Sequence, residues 1–480
     1  MSSKKAILVV LSLFALANCS VGPKYKVPTV ATPSAYKESP PAEYKEDAGW
    51  KTAEPADAVI RPKWWETFQD PKLNELEEQI EPANQTLKAA EARFRQARAM
   101  IKFNRADQFP TISTAPSVVN AHASANTAFA GAGRGYNEFT LPIDLNYEVD
   151  LWGRVRHSVE AAREEFQATA GDLQTVNLSL HSELAVDYFE LRSLDAQKAL
   201  LDETVTTYTR AVELTQNRYS GGLAPKADLA QAQTQLESTR AQDIDTGQLR
   251  AQFEHAIATL IGKPPEDFSI PPLPQKLNPP VIPVGMPSQL LERRPDIASA
   301  ERRVAEANAQ VGIARAAFFP SLLISAAGGL LGSSVTNWFN WPSRFWAVGP
   351  SMLQTAFDGG RRRATSEGAI ANYDATVADY RQTTLTAFQQ VEDNLAALRV
   401  LSDEAKTQRD AVKAAEESLL LATNRYKGGL ATYLDVITSQ TIALTNERTE
   451  VDILRRRMDA SVLLVKALGG GWNVASLPKS

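Results

Sequence analysis

The chain has a single cysteine in 480 residues, Cys19, so no disulfide can form within it. Its four histidines, His122, His157, His181 and His255, show no paired metal-ligand spacing. No nucleophile elbow and no phosphate loop is present. Gly131-Ala132-Gly133-Arg134-Gly135 superficially looks like a nucleotide loop, but it lies between two strand patterns with no helix after it. Enzyme signatures are missing. A basic excess is missing too, since a net charge of -5 gives no nucleic-acid footprint. No apolar run reaches the ~18 residues of a membrane-spanning helix. If this chain crosses a membrane, it does so with strands.

What is present is a repeat. Arg218-Tyr219-Ser220-Gly221-Gly222-Leu223-Ala224-Pro225-Lys226-Ala227-Asp228 returns as Arg425-Tyr426-Lys427-Gly428-Gly429-Leu430-Ala431-Thr432-Tyr433-Leu434-Asp435, 207 positions later. The same offset aligns Gly153-Arg154 with Gly360-Arg361 and Leu260-Ile261-Gly262 with Ala467-Leu468-Gly469, without a gap. In each copy a long charged helical pattern stops at a Gly pair and another begins at once. Gly closes a helix by taking the left-handed conformation, so each copy reads as the tip of a helical hairpin. Duplication gives such a match readily and chance does not.

The chain in order supports this division. Lys4 and Lys5 precede an apolar run from Ala6 to Ala17, which reads as a secretory leader over 1–18. Leu16-Ala17-Asn18-Cys19 resembles the bacterial lipoprotein box, whose Cys is lipidated; the alternative is an ordinary leader with an incidental Cys. Residues 19–70 are polar and proline-containing, an extended arm that docks through Trp64-Trp65-Glu66-Thr67-Phe68. The first repeat, 71–262, opens with helical spacing that Pro82 interrupts. In Phe139-Thr140-Leu141-Pro142-Ile143-Asp144-Leu145-Asn146-Tyr147-Glu148-Val149 the period changes to two, with apolar residues on one face and Thr140, Asp144, Asn146 and Glu148 on the other. That pattern fits a lipid-facing barrel strand over a wet lumen, and equally a half-buried strand of a soluble sheet; the export leader favours the barrel. Thr111 to Ser124 is its expected partner strand. From Gly153 to Arg218 nothing breaks the helical pattern, and at ~1.5 Å per residue it gives a rod of roughly 100 Å.

Nine prolines between 264 and 287 mark an extended crossing over 263–288. The second repeat, 289–470, starts with a helix from Leu290-Leu291-Glu292-Arg293-Arg294-Pro295-Asp296-Ile297 to about Ala317, followed by a strand pair over about 321–357. Trp338, Trp341 and Trp346 suit an aromatic rim or an ordinary core. A second long helix, tip and return helix follow, and 471–480 is a tail. Arg361-Arg362-Arg363 and Arg455-Arg456-Arg457 read as solvated faces or interhelical pairs. Four strands cannot close a barrel, which needs about eight, and an open edge in lipid leaves backbone groups unpaired. The chain must oligomerise.

Cys19-Ser20-Val21-Gly22-Pro23-Lys24-Tyr25, Trp64-Trp65, Asp150-Leu151-Trp152-Gly153-Arg154, Leu291-Glu292-Arg293-Arg294-Pro295-Asp296-Ile297, Phe357-Asp358-Gly359-Gly360-Arg361 and both tips together resemble the outer membrane factor family, in its lipoprotein branch typified by OprM and NodT, relatives of TolC. The resemblance implies a mainly α fold with membrane β: a homotrimer whose 12-stranded β-barrel in the outer membrane continues as a long periplasmic α-helical barrel. It implies docking to a periplasmic adaptor and an inner-membrane resistance-nodulation-division transporter that exports small molecules. Covalent lipid on Cys19 would be the only attached group. A secretion duct for polypeptides is the runner-up, and a non-channel helical scaffold is a second rival.

The resemblance also implies roles at the tips. Asp228 and Tyr426 match positions that bond in TolC-like channels, with Arg218, Tyr219 and Arg425 as supporting donors. Asp435 matches a carboxylate ring that narrows the pore, and Leu434 an apolar gate ring. Gly221, Gly222, Leu223, Gly428, Gly429 and Leu430 would meet the adaptor. Ala431 and Thr438 stand where related chains carry a gating Arg and a second acidic ring, so the expected lock is weaker in charge. Asp228 and Asp435 also sit where carboxylates cap helix starts.

Overall fold

The computed structural model describes residues 20–38, 63–126, 133–275, 277–282 and 287–478. Cys19, the leader, the rest of the arm and the loop residues Gly131 and Ala132 lie outside the described residues.

The chain enters through a short 3-10 turn, Trp64–Phe68, and three helical pieces: α1 (Pro71–Glu77), α2 (Ile80–Ala83) and α3 (Gln85–Ala106). The Asn84 side chain accepts from the Leu87 main-chain N–H at 2.9 Å, so the helix restarts just beyond Pro82. Strands β1 (Thr111–Ser113), β2 (Ser117–His122) and β3 (Gly135–Val149) follow. Then come the rod α4 (Arg154–Ser220) and its return α5 (Lys226–Leu260). The second half repeats the plan, with α6 (Leu290–Arg293), α7 (Pro295–Ala316), β4 (Ser321–Gly332), α8 (Val335–Trp338), β5 (Arg344–Leu353), the rod α9 (Arg361–Lys427) and its return α10 (Tyr433–Ala467). Both rods have 67 residues and both returns 35, at the offset of 207 that the sequence carries.

Two boundaries differ from the sequence reading. The helix expected from Leu290 to Ala317 is broken at Arg294, which is extended (φ -99°, ψ 122°) because Pro295 follows it and opens a new helix. The expected partner strand over 111–124 is split into β1 and β2, interrupted at Thr114-Ala115-Pro116, where Pro116 has no N–H for the ladder.

The four helices α3, α4, α7 and α9 stand side by side and antiparallel as a wall, and α10 packs against both α9 and α4 below it. The sheet above has the same order: β1 and β2 on β3, β3 on β4, β4 on β5, all antiparallel. Its register resolves the weak alternation of the second strand pair. Ile143 lies opposite Gly328, which lies opposite Trp346; Leu145, Ala326 and Val348 align likewise, as do Tyr147, Ile324 and Pro350. One face is therefore apolar across three strands, with glycine and alanine on β4 hiding the pattern in sequence. The other carries Asp144, Asn146, Glu148, Ser325 and Ser351, together with Leu323, Leu331 and Phe345. Trp341 and Trp346 are exposed, whereas Trp338 packs half-buried on Phe139 at 5.6 Å. No described helix is long and apolar enough to cross a membrane.

The main core lies half-way along the rods, where Trp64, Leu73, Leu76 and Ile80 meet Tyr188 and Phe189 of α4 and Ile270 of the proline-rich crossing. Here the structure adds buried polar links that no sequence pattern marks. Glu77 on α1 and His181 on α4 are joined at 2.6 Å, with the imidazole stacked on Trp65 at 4.4 Å. Burial pushes the Glu77 carboxyl well up and the His181 imidazole down to about 4. Arg192, Asp195 and Arg250 form a second link, and the two arginines donate to the carbonyls of Pro271 and Ile270. That link fastens the crossing to the rods.

Candidate functional site

The far end of the wall carries both tips, and their backbones are the same. Leu223 N–H bonds to Arg218 O at 2.8 Å and Gly222 N–H to Tyr219 O at 3.0 Å; Leu430 to Arg425 (2.9 Å) and Gly429 to Tyr426 (3.0 Å) repeat this. These are two Schellman closures, with the left-handed residue at Gly222 (φ 71°) and Gly429 (φ 76°). The first glycine of each pair has an ordinary backbone, φ -82° at Gly221 and -74° at Gly428, and a Cβ there would meet nothing closer than 3.4 Å. Neither conformation nor packing within the chain asks for it.

The side chains around these closures are not the same. Arg218 Nη1 donates to the main-chain oxygen of Tyr426 at 3.2 Å, and its guanidinium lies over the Tyr426 ring at 4.5 Å. That ring packs on Tyr433 at 5.2 Å, with Ala232 and Val436 completing a small buried cluster. Burial pushes the Tyr433 hydroxyl up to about 12. The two tips are thereby bolted together within one chain. Among the described residues the hydroxyl of Tyr426 is buried without a hydrogen-bond partner, and no bond joins it to Asp228 within the chain. Asp228 is half-buried in the first turn of α5. Tyr219, the repeat counterpart of Tyr426, is 39 % exposed where Tyr426 is 6 %.

Asp435 turns back onto its own helix start, accepting from Thr432 N–H at 2.9 Å and Thr432 Oγ1 at 2.8 Å. Those bonds hold its carboxyl below the usual range. Arg425 is exposed, as are Leu434 (57 %), Leu223 (76 %) and Leu430 (76 %). Thr438 Oγ1 donates to Leu434 O at 2.9 Å. Among the described residues no group of acidic, His or Cys side chains could hold a metal ion. Of the two arginine runs, Arg455 bridges α10 to Glu190 on α4 and pairs with Asp452 and Asp459, while Arg362 pairs with Asp358.

At the opposite end of the rods, the N-terminal residues are threaded into the junction between sheet and helices. Val21 N–H bonds to Trp152 O at 3.0 Å, and Ser20 Oγ meets His157 Nε2 at 2.9 Å. A Cβ on Gly22 would sit 3.0 Å from Gly312 Cα, so that strand of chain fits only as glycine.

A five-stranded apolar-faced sheet, in which β1 and β2 share one position beside β3, continued by an antiparallel wall of long helices with paired hairpin tips at its far end, defines the outer-membrane channel class of the TolC type. The comparisons give the family. Its model, "Outer membrane efflux protein", matches residues 76–263 and 286–470, and the chain belongs to that family. The outer membrane protein OprJ of Pseudomonas aeruginosa is 31% identical over 473 residues, 98% of this chain and 95% of the relative. The solvent efflux pump outer membrane protein SrpC of Pseudomonas putida is 30% identical over 476 residues, 98% of each. Among solved structures, the outer-membrane channel OprN matches with a TM-score of 0.86 at 28% identity, covering 95% of this chain and 100% of that one.

Proposed function

We propose that this protein is the outer-membrane channel of a tripartite efflux pump, working as a homotrimer that conducts small molecules across the periplasm and outer membrane. One observation carries the reading. The helical wall and the sheet both end at free edges, and the same two edges: β1 and β2 continue from α3 on one side, and β5 leads into α9 on the other. A sheet with an apolar outer face cannot leave those edges open in lipid, and three copies joined edge to edge, with β1 and β2 counted as one interrupted strand, supply the twelve strand positions a barrel can close with. The relative named as a solvent efflux pump outer membrane protein favours small-molecule export over a polypeptide duct.

Lipidation of Cys19 fits the position of the next residue. Ser20 is held at the foot of the sheet beside His157 and Gly153, and this anchorage of the residue that follows Cys19 supports a lipid attached at the membrane surface. At the other end, the exposed Gly-Gly-Leu tips are the surface for a periplasmic adaptor and through it an inner-membrane resistance-nodulation-division transporter. Leu434 is the constricting residue. The test is single-channel conductance of the purified protein in planar bilayers, native and Leu434→Ala. A small resting conductance that rises in the variant supports the reading; folded protein that conducts in neither form overturns it.

A further inference from the structure

The repeat makes a prediction about surfaces that a single chain leaves uncovered. In the wall, repeat 1 meets repeat 2 where α4 packs on α7, and this seam is visible. In a closed ring the remaining seam joins α9 of one copy to α3 of the next, which are the same two helices of the repeat taken in the other order. Residues of α4 map onto α9 by adding 207. Those of α3 map onto α7 by adding 210, as Phe109-Pro110 maps onto Phe319-Pro320.

The visible seam holds a strong marker. Arg303 on α7 forms an ion pair with Asp172 on α4, and Ser299 Oγ donates to the same carboxylate at 2.6 Å. Beside it Gly171 is pressed on the α7 backbone, where a Cβ would lie 3.0 Å from Ser299 Cβ. Carried through the repeat, Asp172 becomes Asp379, Arg303 becomes Arg93, Gly171 becomes Ala378 and Ser299 becomes Ala89. The charges survive the mapping. Arg93 and Asp379 are both exposed, and neither makes an ion pair with a described residue.

The two edge helices agree with this in other ways. On α3, Leu87, Ala90, Phe94, Ala97, Ile101 and Asn104 face α4, and the opposite face carries Ala89, Ala92, Gln96, Ala99, Phe103 and Ala106. The face of α9 turned away from α7 is Ala364, Gly368, Ala371, Ala375 and Ala378. Helices with such faces approach closely. Helix α3 has six basic side chains against Glu91 alone, while Asp374 and Asp379 on α9 are exposed and make no ion pair with a described residue.

We infer that the contact between copies is a second version of the contact within the copy: α3 docks on α9 of the partner subunit, with Arg93 paired to the partner's Asp379. The same operation at the tips turns the Arg218–Tyr426 contact into Arg425 against the partner's Tyr219, which accounts for that tyrosine being exposed in one chain. The occupant of both edges is a second copy of this chain. The inference rests on the homotrimer reading and adds the register.

Two experiments on the full-length protein test it. In the first, Ala89→Cys combined with Ala378→Cys should give disulfide-linked dimers and trimers on a non-reducing gel: a Cβ at Gly171 of the visible seam would lie 3.0 Å from Ser299 Cβ, and the small extra separation that the alanine at 378 requires brings the matching pair to the roughly 3.5–4.5 Å of a disulfide. Each single variant should give none. In the second, Arg93→Asp and Asp379→Arg should each reduce the detergent-resistant trimer, and the exchanged pair should restore it. Roughly twofold at each of three identical interfaces amounts to about tenfold in the trimer-to-monomer ratio. Trimers that neither cross-link nor recover in the exchanged variant overturn the register and leave the trimer standing. A native protein that is monomeric by light scattering in detergent removes the homotrimer reading itself.

Discussion

The bolt between the tips makes a prediction in which two neighbouring substitutions behave oppositely. Replacing Arg218 by Met removes the charge and keeps the length of the side chain. What goes is a partly exposed charged hydrogen bond to the Tyr426 carbonyl, about 1 kcal/mol after allowance for solvent, and a cation–π contact of about 0.5–1 kcal/mol. If opening parts the two hairpins, about 1.5 kcal/mol per protomer shifts the closed-to-open ratio roughly tenfold. Replacing Tyr426 by Phe removes a hydroxyl that is buried with no partner, while the ring stays on Tyr433 and under Arg218. Losing an unsatisfied buried polar atom costs nothing and can stabilise. Planar-bilayer recordings of the time spent in the larger conductance read both variants. Arg218→Met should raise it and Tyr426→Phe should leave it level or lower it. The reverse result, with Arg218→Met silent and Tyr426→Phe leaky, would refute the bolt and place the latch on the hydroxyl, as a bond to Asp228 requires.

Two further outcomes follow from local chemistry. Gly222→Ala and Gly429→Ala force a Cβ into the left-handed region and should each cost about 1–2 kcal/mol of thermal stability. Gly221→Ala and Gly428→Ala should cost none, so a loss of export in those two variants reports recognition by a partner; melting curves beside drug-susceptibility assays separate the cases. Burial, with Glu190, Asp452 and Asp187 nearby and Arg455 opposing, pushes Asp459 up to about 7. A carboxyl raised on folding binds a proton that the unfolded chain has released, so stability is greatest below the ordinary carboxylate range and falls as pH rises toward 7. Asp459→Asn should flatten that slope and gain about 1–2 kcal/mol at pH 8, measured as the melting midpoint between pH 5 and 8.

The repeat was legible because its signals are local. A Gly pair after a long unbroken helical pattern needs no knowledge of the rest of the chain, and the helix lengths follow from it. The lipid-facing strand 139–149 was legible for the same reason, since period two is written in one segment. The second strand pair was not, because Gly328 and Ala326 lie on the outward face and only register with Ile143 and Leu145 reveals that face. The break at Arg294 could have been read from the proline after it. The Glu77–His181 pair could not, because the partners are 104 positions apart and belong to helices whose contact only the fold determines.

The tip residues show the same limit in a sharper form. Sequence aligns Asp228 with Asp435 and offers both as gate carboxylates. One substitution between the repeats separates them: Thr432 in the second copy stands where Pro225 stands in the first. Thr432 supplies an N–H and a hydroxyl, and the Asp435 carboxylate folds back to accept both, capping α10. Proline supplies neither, so Asp228 has no such partner at the start of α5 and its carboxylate is not drawn back along the helix. Two aligned acids thus have different availability. At the second tip the group left pointing away from the helix start is Leu434, not Asp435. A constriction built there is apolar, and it would respond to the size of residue 434 far more than to salt or pH.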